Sequence, residues 1–307
     1  MPAKKSNVDH YENITARIVA EVEKALDEGT EHTWTAPWTK MAANMPRNAA
    51  TGRRYNGVNA FLLGMDSRNT ADPRWCTYKQ AQGKGWQVRR GEKSTTVYLF
   101  RPYKREERDD EGNVTERPAL VLRTFSVFHA SQMDGIPEWE PKTVAPRDAW
   151  EQNAAAERVL KGSGAEITYG GDHAYYTPAL DTITLPTREQ FGSADGFYGT
   201  ALHELAHWTG GKDSRVPRRE GVGGGKFGTP EYAREEIRAD MASAVMRGVL
   251  GIVDDSPTGC QDTVAYVKSW LRALKDDKYE ARRAVADAQK IADFLLGDEG
   301  LEEVDGE

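Results

Sequence analysis

Cysteine is nearly missing from this sequence. Cys76 and Cys260 are the only two among 307 residues, far apart and without Cys-x-x-Cys spacing. That excludes a disulfide framework, or a cysteine-ligated zinc site, as the organiser of the fold. Long apolar runs are missing too, since none approaches the roughly 20 residues that span a bilayer. The opening MPAKKSNVDHYENITARIV has no continuous apolar segment of the secretory kind, so a cytoplasmic chain with no membrane partner is expected. Nothing repeats internally, and the one biased stretch is a short acidic end, GDEGLEEVDGE. Acidic side chains are themselves scarce in one place. Residues 37–105 hold 14 Lys/Arg against 3 Asp/Glu, a balance of +11, and the remainder carries −18 within a net charge of −7. Such segregation lets one region attract a polyanion while the whole chain stays acidic and soluble.

Periodicity supplies the organisation. DHYENITARIVAEVEKALDE, residues 9–28, sets Ile14, Ile18, Val22 and then Ala25 or Leu26 at helical spacing. VNAFLLGMDSR and TYKQAQGKG predict two further helices, the second closed by Gly83 or Gly85. WQVRRGEKSTTVYLFRPYKRE and ALVLRTFSVFHASQM predict strands, with the charged REERDDEGNVTERP between them as a solvated hairpin connection. Three prolines in DGIPEWEPKTVAPRD mark a linker. Beyond it come a helix at AWEQNAAAERVLKGS and short strands in EITYGGDHAYYTPALDTITLPTREQF, with Ile183 and Leu185 on one face. Helices follow at SADGFYGTALHELAHWTG and EYAREEIRADMASAVMRGVLG, and residues 262–297 supply two more. The expected fold class is α+β in two domains, residues 1–135 and 148–307, joined by a linker at 136–147. The second domain places its helices on a small sheet.

One motif carries chemistry. In ALHELAHWTG, His203 and His207 stand four residues apart with Glu204 directly after the first. On a helix that spacing sets both imidazoles on one face, where they can share one zinc ion. Glu204 then lies beside the ion without ligating it, placed to take a proton from water. EEIRADMASA offers the third ligand: Glu236, with Glu235 competing for the role and Asp240 one turn on to fix a ligand histidine's tautomer. Ala239, Ala242 and Ala244 would let this helix approach the first closely. DTITLP is read as an edge strand for an extended substrate. The glycine-rich segment between the two helices is read as a mobile lid. Tyr175, Tyr176 and Tyr198 are candidate oxyanion donors. GVGGGK follows no strand and lacks Ser or Thr after Lys226, which rejects a nucleotide loop.

The basic region interleaves cations with aromatic rings, as single-stranded nucleic acid requires. Beside Trp34, Trp38, Lys84 and Tyr98, the candidate contacts are Arg47, Arg53, Arg54, Tyr55, Arg74, Trp75, Lys79, Trp86, Arg89, Arg90 and Lys93.

Taken together, YENITARIV, PRNAATGRRYNGVNAFLL, DPRWCTYKQAQGKGWQVRRGEKSTTV and FSVFHASQMDGIP in the first half form one ordered set of segments. YYTPALDTITLP, FYGTALHELAHWTG, KFGTPEYAREEIRADMASA and YVKSWLRALKDDK continue it in the second. From Tyr11 to about Gly297 this order resembles the ArdC-type antirestriction proteins of conjugative plasmids and phages. The resemblance implies an N-terminal domain that binds single-stranded DNA and a C-terminal zincin-like metallopeptidase domain acting on a protein substrate. It puts zinc ligands on His203, His207 and the glutamate of EEIRAD, with Glu204 as base. The charged insert at 104–118 is a departure from the family pattern, as is RAD where relatives often have VAE. A second reading keeps the DNA binding but makes zinc structural, in a protein that coats entering strands without proteolysis.

Overall fold

The first half assembles on buried stripes. In a computed structural model that describes residues 9–28, 36–108, 114–140, 153–218, 225–226, 228–252 and 264–297, helix α1 (His10–Glu28) turns Ile14, Ile18, Val19 and Val22 inward. This is the apolar face its spacing predicts. A helical turn at Pro37–Thr39 leads into α2 (Lys40–Ala43), and α3 (Gly57–Gly64) packs on it. A Cβ at Gly64 would lie 2.3 Å from Met41 Cγ, so only glycine permits this approach. Strands β1 (Arg47–Asn48) and β2 (Arg74–Thr77) run parallel, and α4 (Tyr78–Gly83) starts on a capping box between Thr77 and Gln80. The remaining strands of this half are β3 (Gln87–Val88), β4 (Thr95–Arg108), β5 (Val114–His129) and β6 (Met133–Asp134). They form a four-stranded sheet in the order β1-β2-β5-β4 and a separate β3-β6 ribbon.

The charged stretch predicted as a solvated connection is mostly ladder. β4 and β5 stay in antiparallel register out to Arg108 and Val114. Backbone pairing needs no apolar side chain, so a charge run does not by itself end a hairpin. Residues 109–113 at its tip, Trp34, and residues 141–147 of the expected linker lie outside the described residues. So do residues 219–224 and 227 of the segment read as a lid.

In the second half, Asn153 caps α5 (Ala154–Gly162) by accepting from the backbone N–H of Ala155 and Ala156. Strands β7 (Glu166–Tyr169), β8 (Tyr175–Thr177) and β9 (Thr182–Leu185) form a sheet ordered β7-β9-β8. Ile183 and Leu185 are both fully buried, as their alternation requires. The reading of DTITLP as an edge is corrected here. β9 lies in the middle, because β7 pairs with it in parallel on one side and β8 antiparallel on the other. The long helices α6 (Ala194–Thr209), α7 (Pro230–Leu250), α8 (Val264–Asp276) and α9 (Glu280–Leu296) complete an α+β fold.

The two halves share a core. One buried apolar cluster contains Ile14 and Phe61 from the first half and Ile237, Trp270 and Ile291 from the second. Helices α1 and α3 pack on α9, and α2 packs on α7. Trp38, wholly buried, stacks on Trp270 at 6.1 Å between ring centroids, and its indole N–H donates to Asp240 Oδ2 at 2.5 Å. On α7, the fully buried Arg238 is held by Glu280 and Asp287 of α9, each at 2.8 Å. Removing one member of such a buried set costs about 3–5 kcal/mol, because a desolvated charge is left behind.

Candidate functional site

Helix α6 begins at Ser193, whose hydroxyl accepts from the backbone N–H of Gly196. It buries Phe197, Tyr198, Leu202 and Leu205, which fixes its rotation. α7 crosses it with Ala239, Ala242 and Ala244 all buried, and Ser243 Oγ reaches the Gly199 carbonyl at 3.2 Å. Ser243 against Gly199 marks a close approach of the two helices.

That crossing sets His203 Nε2 and His207 Nε2 3.1 Å apart. Glu236 completes a triangle, with Oε2 3.4 Å from His203 Nε2 and Oε1 3.4 Å from His207 Nε2. The donor set fits a metal ion. Bonds of about 2.0–2.1 Å in a tetrahedron require ligand atoms roughly 3.3 Å apart, the spacing found here. Among the described residues this is the group of His, Cys, Asp or Glu side chains close enough to share an ion. Burial works against charge on both imidazoles, yet the carboxylate of Glu236 outweighs it, raising His203 and raising His207 strongly. In return, His207 and His203 hold Glu236 well below the usual carboxylate range despite its burial.

The two adjacent glutamates differ in what each faces. Glu236 turns to both Nε2 atoms, whereas Glu235 Oε1 faces His207 Nδ1 at 3.5 Å. Glu235 is itself gripped by Arg218, whose Nε lies 2.9 Å from Oε2. Arg218 Nη2 also donates to the Ala206 carbonyl and to Thr209 Oγ1, each at 3.0 Å, so this guanidinium ties the metal helices together. Glu235 thus faces the second ring nitrogen of His207, and Asp240 accepts from the Trp38 indole. Arg218 was not foreseen: it sits in irregular chain with no period to betray it.

A cavity of about 500 Å³ opens over the cluster, bordered by Glu204, Tyr176, Tyr232 and Gly211 as well as the three ligand side chains. Glu204 is buried there, next to the metal triangle rather than in it. Strand β8 forms one wall through Tyr175 and Tyr176, so the sheet edge beside the site is β8 and not β9. Gly211 is demanded by Tyr176, whose Oη would lie 1.7 Å from any Cβ added there. Tyr198 is a correction. It lies in the core and donates to Glu157 at 2.8 Å, away from the cavity. Tyr232 was missed, though it stands one helical turn before Glu236 and that spacing could have found it.

Comparison with known proteins bears on both halves. Residues 154–287 match the zincin-like metallopeptidase family, and residues 8–128 match the N-terminal domain of anti-restriction factor ArdC. The crystal structure of the metal-free antirestriction ArdC protein from plasmid R388 is 33% identical, with a TM-score of 0.71, over 95% of this chain and 98% of that one. Its Mn(II)-bound form gives 31% identity and a TM-score of 0.72 over 96% of this chain and 100% of that one. This chain belongs to the ArdC antirestriction family.

A DNA primase TraC from Escherichia coli is 42% identical over 86% of this chain, but the chain spans only 18% of that protein's length. A second TraC from the same organism is 40% identical over 93% of this chain and 27% of its own length. An uncharacterised protein y4eC of Sinorhizobium fredii, 32% identical, aligns over 94% of this chain and 91% of its own.

In this ArdC-family chain, the residues read from sequence as DNA contacts divide. Arg53, Lys79, Arg90 and Lys93 are exposed, and Arg54 is half-buried. Trp75 is fully buried, with its indole donating to Asn69 Oδ1, and so is core. Its aromatic face is not available for stacking a base. Tyr55 is also buried, and burial pushes its phenol up. Trp86 packs on a small second cluster around Cys76 and Met133. Arg74 is paired with Asp72 at 2.8 Å, and Arg89 is shared between Glu92 and Asp134 at 3.0 and 3.3 Å. Arg47 lies half-buried over the Trp139 ring, with Arg74 nearby. Among the described residues, no helix is long and apolar enough to cross a membrane.

Proposed function

We propose that this protein binds single-stranded DNA through its basic half and hydrolyses peptide bonds at a zinc site in its second half. In doing so it protects incoming plasmid or phage DNA from host restriction. The observation that carries the reading is the His203–His207–Glu236 triangle with Glu204 buried beside it in one cavity.

A bound zinc ion supplies a Lewis acid that polarises a carbonyl and makes water acidic enough to lose a proton near neutral pH. The Mn(II)-bound form of the R388 relative supports a divalent ion in this chain, and two imidazoles with one carboxylate suit zinc. Glu204 accepts the proton at its carboxylate and returns it to the leaving amine. Glu235, braced by Arg218, keeps His207 in the tautomer whose Nε2 faces the ion. The outer edge of β8 offers backbone groups to an extended protein substrate. Exposed Arg53, Lys79, Arg90 and Lys93 supply phosphate contacts to the strand.

The test compares wild type with Glu204→Gln for cleavage of candidate host proteins and for self-cleavage, with and without single-stranded DNA. Equal cleavage by both proteins ends the peptidase reading. A second reading has one feature in its favour, the burial of the ligand helix α7 against both halves. There zinc would staple a DNA-coating protein, and Glu204→Gln would leave protection intact.

A further inference from the structure

Between α3, α4 and the β4–β5 hairpin lies a cavity of about 310 Å³ that shares no lining residue with the one over the metal triangle. It is at the small end of the roughly 300–1,000 Å³ typical of small-molecule sites, with room for one base and its sugar. Its walls are apolar and aromatic, formed by Val58, Val97, Phe100, Phe125 and Val127. No charged side chain lines it. Phe125 is 37% exposed at its border, which leaves its ring accessible to a ligand.

The polar groups inside are amides, and they differ in what they already bind. Asn59 is spent on the backbone of Tyr98, donating to its carbonyl at 2.7 Å and accepting from its N–H at 2.8 Å. Asn48 Oδ1 accepts from Ala50 and Thr51. Gln80 Oε1 accepts from Thr77 N–H, Thr77 Oγ1 and Asn48 Nδ2. Among the described residues, Gln80 Nε2 and the side-chain amide of the exposed Asn56 have no hydrogen-bond partner. The whole Asn56 amide, one free Gln80 N–H donor and an exposed ring border an uncharged hollow. Outside it, Arg53 and Lys79 are exposed, two residues before Tyr55 and one before Gln80 in the chain.

An uncharged cavity repels phosphate through desolvation, while a cationic rim attracts it. A ligand neutral at one end and anionic at the other satisfies both. Building on the proposed affinity for single strands, we infer that this cavity takes one unstacked base of the bound DNA. Phe125 stacks on the base, and Asn56 and Gln80 read its hydrogen-bonding edge. Asn56 offers donor and acceptor together and Gln80 adds a second donor, a pattern that discriminates bases.

The experiment measures fluorescence anisotropy of labelled oligo-dA, oligo-dC and oligo-dT on the full chain at fixed salt. Wild type is expected to prefer one base at least tenfold. Phe125→Ala should lower affinity about tenfold, the size of one lost stacking contact, and Asn56→Ala should flatten the preference. An abasic nucleotide in the preferred oligonucleotide should mimic Phe125→Ala. Phe125→Leu, which keeps the apolar wall, should melt like wild type yet bind like Phe125→Ala. Arg90→Ala should weaken all three oligonucleotides alike. If wild type binds all three equally and Phe125→Ala matches it, the pocket is refuted while DNA binding stands. If wild type binds no single strand, the functional reading falls and the pocket with it.

Discussion

The metal crossing and the basic region encode their chemistry in opposite ways. At α6 and α7, three side chains converge on one point, and two helical turns with small residues between them set every distance. In the basic region, charge is spread over loops and the short helix α4, and much of what looked functional serves the fold. Trp75 is core, and Arg74 and Arg89 are held by neighbouring carboxylates. Convergent sites are brittle and dispersed ones are graded.

The sharpest way to test that contrast is His203→Ala. Loss of one of three ligands should abolish stoichiometric divalent metal in the purified protein, read by elemental analysis, while affinity for single strands stays within about twofold. Trp75→Ala comes next. It should cost about 3–5 kcal/mol of stability by denaturant unfolding, and any fall in DNA affinity should disappear under conditions where the variant is folded. A fall that persists in fully folded protein would return Trp75 to the interface. Glu235→Gln should weaken metal binding about 10–100-fold in a chelator competition while leaving the ligand set intact. If metal affinity is unchanged, the Arg218–Glu235 brace has no bearing on the ion. Arg90→Ala should have the smallest effect, lowering the slope of log affinity against log salt by about 0.7, one phosphate contact on a single strand.

This contrast also explains what the sequence disclosed. His203, Glu204 and His207 were legible because a helix of fixed pitch turns a four-residue spacing into a shared face. Glu235 and Glu236 were not separable by pattern, since adjacent helical positions differ by about 100° and both reach the site, one at the ion and one at a histidine. Strand β9 was read as an edge because order in a sheet is set by chain returning from elsewhere, here β7, and leaves no local mark. Trp75 misled because composition counts rings without saying which side of the strand they take. Strand β2, between β1 and β5, buries both Trp75 and Cys76 and leaves Arg74 and Thr77 half-buried. The shared core escaped a reading in which three prolines marked a boundary.

Trp38 lies in the first half, yet it touches Asp240 one turn beyond the glutamate of the metal triangle and stacks on Trp270. Inheritance of this unit is therefore constrained. A chimera joining the opening segment of one relative to the closing segment of another must carry positions 38, 240 and 270 as a matched set. The same holds wherever a region like this one is grafted into a longer protein: it has to travel whole.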